Sequence, residues 1–145
     1  MALRRKGKDA KMRLLNDVAL FRPCTKSELA RIASLVDEVE APEGKTLTRE
    51  GESGWEFFVV AEGKATARRG GRKVAEIGPG SFFGEMSLLD EGPRSATVIA
   101  DTDMHLLVLS SRSFSSLIDE VPAVARRILR GMAERLRSSE RAPTH

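Results

Sequence analysis

The segment Phe83-Gly84-Glu85-Met86-Ser87-Leu88-Leu89-Asp90-Glu91-Gly92-Pro93-Arg94-Ser95-Ala96-Thr97-Val98 interrupts a series of short β-favouring stretches and carries chemistry that those stretches lack. Gly84 permits close backbone approach and dihedrals closed to other residues. Residues 85–89 have the length of one helical turn, whose free amides would face an anion. Gly92-Pro93 reverses the chain. Arg94 follows, and its guanidinium can hold two oxyanions in a fork. An ionised Glu85 only accepts hydrogen bonds, so beside such a site it suits ligand hydroxyls such as those of a ribose. Arginine for phosphate and glutamate for sugar together describe a nucleotide. On these two residues alone the competing reading is mutual neutralisation of Glu85 and Arg94 across a loop, since exposed ion pairs are common and weak.

Outward from this segment the pattern is β. Residues 39–41, 46–49, 57–61, 65–69, 72–77, 95–100 and 105–109 favour strands and are separated by glycine turns, among them the Gly70-Gly71 hairpin signal. Seven short strands at this spacing predict a β-sandwich or jelly roll and exclude a parallel α/β sheet. Trp55 is expected as a packing residue at the start of a strand, the usual role of a lone aromatic. His105, within a strand, is expected to pack or face solvent.

Helices flank the strands. Residues 8–20 predict a short amphipathic helix with Met12, Leu15 and Ala19 at helical spacing. Thr25-Lys26-Ser27-Glu28 is a capping-box pattern opening a helix over about 26–36. Ser110 or Ser111 can cap a further helix through Phe114, Leu117 and Ile118, and Pro122 suits the first turn of the next. There Val124, Ile128, Met132 and Leu136 form an apolar stripe on an arginine-rich helix. The expected organisation over 1–145 is one domain: N-terminal helices at 8–36, a jelly roll at 37–110 containing the segment 83–98, and C-terminal helices at 111–141.

Composition narrows the function. The chain has 145 residues, 31% charged and 41% hydrophobic, with a net charge of +3. These values suit a globular chain and argue against wholesale disorder. No apolar run reaches the ~20 residues of a membrane span, and the basic N-terminus lacks the apolar centre of a signal peptide. One cysteine, Cys24, makes a reducing cytoplasm the natural compartment. It is expected to be a buried or idle thiol and not an activated one. With His105 and His145 as the two histidines, most His/Cys metal cages and a jelly-roll metalloenzyme are disfavoured. No nucleophile–base pair supports hydrolysis, so no catalytic residue is assigned. The basic charge is concentrated at the ends. Arg4, Arg5, Lys6, Lys8, Lys11 and Arg13 face only Asp9 within residues 1–15, and six arginines face Glu134 and Glu140 within 122–145. A nucleic-acid-associated regulator acting through these termini is the alternative class. Solvated helix faces are the simpler account, and the few aromatics do not interleave with the basic clusters.

The full string 83–98 resembles the phosphate-binding cassette of cyclic-nucleotide-binding domains, as in protein kinase A regulatory subunits, cyclic-nucleotide-gated channels and the catabolite-activator family. Phe83, Gly84, Glu85, Leu88, Pro93, Arg94, Ala96, Thr97 and Val98 match, with no gap against the kinase-type cassette. Gly44, Gly51, Gly63 and Gly80 look like the family's strand-turn glycines, and the resemblance covers roughly residues 17–140. It implies an eight-stranded jelly roll, one strand more than the residue pattern yields. It implies a cytosolic sensor of cyclic AMP, less readily of cyclic GMP, with no cofactor, no metal and no enzymatic activity. Gly84, Ser87 and Ser95 would supply donors to the cyclic phosphate, with Met86 in the same turn. Glu85 would bind the ribose 2′-hydroxyl and Arg94 the exocyclic phosphate oxygens. Val74 and Ile77 would wall the base. The serine at position 95 fits cyclic AMP, since a threonine there favours guanine in the family. The last helix would act as lid or dimer element. Its stripe of Ile128, Met132 and Leu136 could pack on the base, on a second subunit as a homodimer contact, or on its own jelly roll, and Arg135 or Ser139 could reach the base edge. The chain stops just after this helix, leaving no residues for a helix-turn-helix unit. Direct DNA binding and membrane association are therefore not expected. The implied roles are a stand-alone sensor addressing an unknown protein effector, or the ligand-binding part of a longer transcription regulator.

Overall fold

A computed structural model describes residues 8–141. The basic cluster within residues 1–7, and His145, lie outside the described residues. Helix α1 (Lys8–Asp17) ends earlier than the periodicity suggests. Val18 takes an extended conformation, and a separate 3-10 turn, Ala19–Phe21, swings Leu20 and Phe21 into the core. Helix α2 (Lys26–Leu35) carries the expected capping box: the Thr25 hydroxyl accepts from the Glu28 amide, and the Glu28 carboxylate accepts from the Thr25 amide. Such a cap stabilises a helix by about 1 kcal/mol.

Eight strands follow: β1 (Asp37–Ala41), β2 (Thr46–Thr48), β3 (Glu56–Glu62), β4 (Ala65–Arg69), β5 (Arg72–Ile77), β6 (Phe82–Phe83), β7 (Thr97–Ala100) and β8 (Met104–Ser110). They form two four-stranded antiparallel sheets, ordered β1-β8-β3-β6 and β2-β7-β4-β5. The jelly roll therefore has the eighth strand, β6, that the residue pattern missed. Two residues are too few for alternation to register, and β6 runs directly into the cassette. After β8, Ser110 caps α4 (Ser111–Glu120) by accepting from the Ser113 amide, and α5 (Pro122–Arg141) starts at the proline.

Two cores share one wall. Phe57 and Val59 of β3, with Leu107 and Leu109 of β8, face the helices and pack with Leu15, Phe21, Ile32, Phe114, Val124 and Ile128. The alternate residues Phe58, Val60, Leu106 and Val108 face the second sheet and pack with Ala65, Ile77, Phe83 and Val98. Burial on both faces explains why β3 and β8 read as continuous apolar runs. The helical core seats the first half of the α5 stripe: Val124 and Ile128 are buried and Met132 is half-buried. Leu129 and Leu136 stay exposed.

Trp55 departs from its expected role. It lies in the loop before β3 and is 66% exposed. Cys24 is a free, half-buried thiol pushed up to about 11, chiefly by burial and then by Glu28, with Arg127 opposing. At neutral pH its thiolate is about one part in ten thousand, in keeping with an idle thiol. His105 Nε2 lies 3.1 Å from Glu38 Oε1, packed between β8 and β1. No helix among the described residues is long and apolar enough to cross a membrane.

Candidate functional site

Gly84 stands between β6 and α3 (Glu85–Leu89) with φ +93, a conformation that only glycine adopts freely. A Cβ there would also lie 2.7 Å from the Glu56 carbonyl and 2.8 Å from Arg94 Nη1. This glycine brings the turn of α3 onto the guanidinium. Arg94 is only 6% exposed. Its Nη1 donates to the Gly84 carbonyl at 3.1 Å and to Ser87 Oγ at 3.0 Å, and its Nη2 donates to the Glu56 carbonyl at 2.9 Å. Its backbone is pinned as well, with the Gly51 amide on its carbonyl and its own amide on the Glu52 carbonyl. Burial works against the arginine's charge and lowers its pKa, while Glu56 and then Glu85 support it.

Glu85 is 2% exposed. It does not pair directly with Arg94. Its Oε1 accepts from Arg135 Nη1 of α5 at 2.5 Å, and Arg135 Nη2 donates to the Phe82 carbonyl. The Arg135 guanidinium also stacks 4.6 Å from the centre of the Phe82 ring. Arg135 is thus engaged with the cassette carboxylate. Gly131 makes this approach feasible, because a Cβ there would lie 2.6 Å from the Phe82 ring. A glycine inside a helix costs about 1 kcal/mol relative to alanine, and this one lets α5 press on β6.

Burial raises the Glu85 carboxyl above its ordinary value of 4.5, and the nearby arginines Arg135 and Arg94 only partly offset this. A raised acid pKa means that the folded state holds its proton to higher pH than the unfolded chain does. Glu85 therefore contributes stability below its ordinary value that is lost as pH rises to its folded pKa. Melting curves across pH should show this fall in the wild-type chain and lack that component in Glu85→Gln. Identical pH profiles would remove the buried-carboxylate account.

The remaining sequence candidates take varied positions. Ser87 is buried, and its hydroxyl also donates to the Gly84 carbonyl. Ser95 is exposed, and its carbonyl accepts from Arg69 Nε at 2.9 Å. Met86 is exposed on α3. Val74 and Ile77 share β5 but part company: Ile77 joins the inter-sheet core, while Val74 sits at the register shift of the β4–β5 ladder and is 49% exposed. Leu136 is 62% exposed. Ser139 belongs to α5, and its side chain lies outside the described residues.

Sequence reasoning missed Gly54. A Cβ there would lie 1.7 Å from Arg94 Nε, so the guanidinium is seated between Gly84 and Gly54. Nothing local in the sequence marks Gly54. Its requirement appears only when the loop before β3 meets the strand entry at Arg94.

With this geometry in view, similarity to known proteins is specific. The model of the cyclic nucleotide-binding domain matches residues 38–121, and the chain belongs to that family. The cyclic AMP receptor protein of Thermus thermophilus is 42% identical over 104 residues, covering 68% of this chain and 48% of that protein. The cAMP-dependent protein kinase regulatory subunit of Colletotrichum orbiculare is 33% identical over 115 residues, covering 78% of this chain and 29% of that one. The crystal structure of the Thermus thermophilus catabolite activator protein superposes with a TM-score of 0.75 at 38% identity, covering 83% of this chain and 59% of the other. The chain spans less than half the length of these two curated relatives.

Proposed function

We propose that this domain is a cytoplasmic receptor for cyclic AMP, with cyclic GMP as the weaker ligand, and that it relays occupancy through α5 to a protein effector. The carrying observation is a buried cation and a buried carboxylate gathered at one turn without pairing to each other: Arg94 is bonded to Gly84 and Ser87, and Glu85 opens the same turn. A cyclic phosphate would take donors from Arg94, Ser87 and Ser95, with Gly84 and Met86 supplying backbone at the turn. The ribose 2′-hydroxyl would donate to Glu85 Oε2, the oxygen for which Arg135 is not a partner. The base would lie toward Val74 and Ile77. The names of the relatives support cyclic AMP as the ligand.

Because Arg135 belongs to α5 and touches Glu85, sugar binding and helix position share one carboxylate. That shared group is the physical route for a relay, since a ligand shifts a conformational equilibrium only through differential contacts. Exposed Leu129 and Leu136, with half-buried Met132 between them, also form a seam at i, i+3 and i+7 for a homodimer. No cofactor or catalytic step is part of this reading. A second reading, the sensing part of a longer transcription regulator, is favoured by the 42% identity to a receptor of which this chain spans 48%.

Calorimetric titration with cyclic AMP, cyclic GMP and AMP tests the proposal. Cyclic AMP should bind tightest and AMP weakest. A tenfold preference for cyclic GMP would overturn the base assignment, and equal binding of AMP would overturn the cyclic-phosphate site.

A further inference from the structure

A strongly basic stretch, Arg68-Arg69-Gly70-Gly71-Arg72-Lys73, lies where β4 turns into β5. Residues 68–76 are all exposed and belong to neither core. The ladder sets Arg68 opposite Lys73 and Arg69 opposite Arg72. Like charges directly opposite one another destabilise a hairpin, whereas opposite charges stabilise it. The chain accepts this cost twice at one tip. Breaks of a local rule of this kind concentrate where function requires them.

Carboxylates do not neutralise the cluster. Glu50 stands at the tip, but its Oε1 accepts from the Gly70 amide at 2.9 Å. Glu76 pairs with Lys73. Lys64 and Asp101, both near Glu76, carry opposite charges. Arg68, Arg69 and Arg72 are in no ion pair among the described residues. Arg69 commits only Nε, to the Ser95 carbonyl at 2.9 Å, and Arg68 reaches the Gly71 carbonyl through Nη1 at 3.5 Å. With Glu50 and Glu76 both counted, the tip keeps a surplus of two positive charges. Protection of an edge strand does not require this. β5 is an edge, and charge of either sign discourages edge-to-edge pairing, so alternating signs would serve without the like-charge cost.

Shape and chemistry select the anion. Successive side chains leave opposite faces of a strand, so the Arg68–Lys73 pair lies on one face of the ribbon and the Arg69–Arg72 pair on the other. Between them are two glycines with open space around both Cβ positions. An acidic protein surface would engage one face and draw its affinity from large anchoring side chains, and residues 68–73 offer no apolar anchor. A slot walled by phosphates on both sides engages both faces. The major groove of B-form DNA, about 12 Å wide, is such a slot and admits a two-stranded ribbon, whereas that of A-form RNA is too narrow. Arginine forks suit phosphate oxygens.

We propose that the β4–β5 tip is a sequence-independent contact for double-stranded DNA. The ribbon enters the major groove tip first, with Arg68 and Lys73 on one phosphate backbone and Arg69 and Arg72 on the other. This contact needs no helix-turn-helix unit.

The test is fluorescence anisotropy of a short labelled DNA duplex titrated with the whole chain over a series of salt concentrations. Arg68→Gln with Arg72→Gln removes one cation from each face. At low salt this variant should weaken duplex binding at least tenfold and flatten the slope of log affinity against log salt by about 2, the counterions of two phosphates. Its melting temperature should equal that of wild type or exceed it, because both like-charge pairs are relieved. Arg126→Gln with Arg130→Gln takes the same charge from exposed positions of α5 and should leave affinity within threefold. Equal losses in the two variants would reduce the binding to net charge and overturn the site, as would a wild-type chain that does not bind. A lower melting temperature in the hairpin variant would overturn the like-charge argument. Duplex RNA should bind at least fivefold more weakly than DNA, and equal binding would overturn groove insertion. Polyglutamate at matched charge should compete at least tenfold less well than unlabelled duplex; equal competition would assign the tip to an acidic protein and overturn the DNA reading. No cyclic nucleotide enters the titration, so its outcome leaves the function proposed above untouched.

Discussion

On the function proposed above, Arg94→Ala should abolish high-affinity cyclic AMP binding in a chain that still folds. The guanidinium is the buried cation of the cassette, and removing one partner of such a charge pair costs about 2–5 kcal/mol, or roughly 30- to several-thousand-fold in affinity. The fold survives because the backbone bonds at this position, to the Gly51 amide and the Glu52 carbonyl, do not involve the side chain. The Gly84 and Glu56 carbonyls released by the substitution border an opening that water can enter. Arg94→Lys should recover little, since an ammonium lacks the planar fork that serves Gly84, Ser87 and Glu56 together. Titration calorimetry beside a thermal melt decides the matter. Affinity within threefold of wild type would remove Arg94 from the phosphate site.

Gly54→Ala should approach the same loss without touching the arginine. An added methyl would lie 1.7 Å from Nε and 2.2 Å from Cζ, so the guanidinium must leave its seat. Gly54 is not among the positive-φ glycines, so alanine meets no torsional obstacle. The clashing atoms end a flexible side chain, so the fold pays little. The expected outcome is a loss of cyclic AMP affinity on the scale of Arg94→Ala with a melting temperature close to wild type. The double variant should be no worse than Arg94→Ala alone, because both changes act on one guanidinium. Additive losses would mean that Gly54 acts elsewhere.

Legibility varied with how local the cause was. Thr25, Ser110 and Pro122 announce their helices because capping and ring geometry act within a few residues. The short helix after Gly84 was readable for the same reason, as was the presence of an arginine and a glutamate in one segment. β6 was not, since two residues carry no period. Gly54 and Arg135 take their roles from neighbours 40 and 50 positions away in the chain, at Arg94 and Glu85 respectively. The helix stripe was visible as a stripe, but its division into a buried first half and an exposed Leu136 depends on where β6 lets α5 rest.

The wall shared by the two cores bears on how this chain finds its structure. A one-residue slip of a strand ordinarily drives its apolar side chains into water, and that penalty fixes the register. In β3 a slip would exchange Phe57 and Val59 for Phe58 and Val60, leaving both faces apolar. Hydrophobicity alone therefore discriminates weakly among pairings of β3 with β8 during collapse. The discrimination falls to one end of the pair, where the ladder shifts register between Val60 and Glu62 and where Gly63, at φ +97, passes so close to the start of β8 that a Cβ would lie 2.5 Å from the Asp103 carbonyl. Misregistered collapse is a kinetic trap of the kind that near-degenerate packings create. Refolding from denaturant should thus contain a slow phase of strand realignment, and Gly63→Ala should enlarge that phase by removing the turn that rejects the wrong alignments.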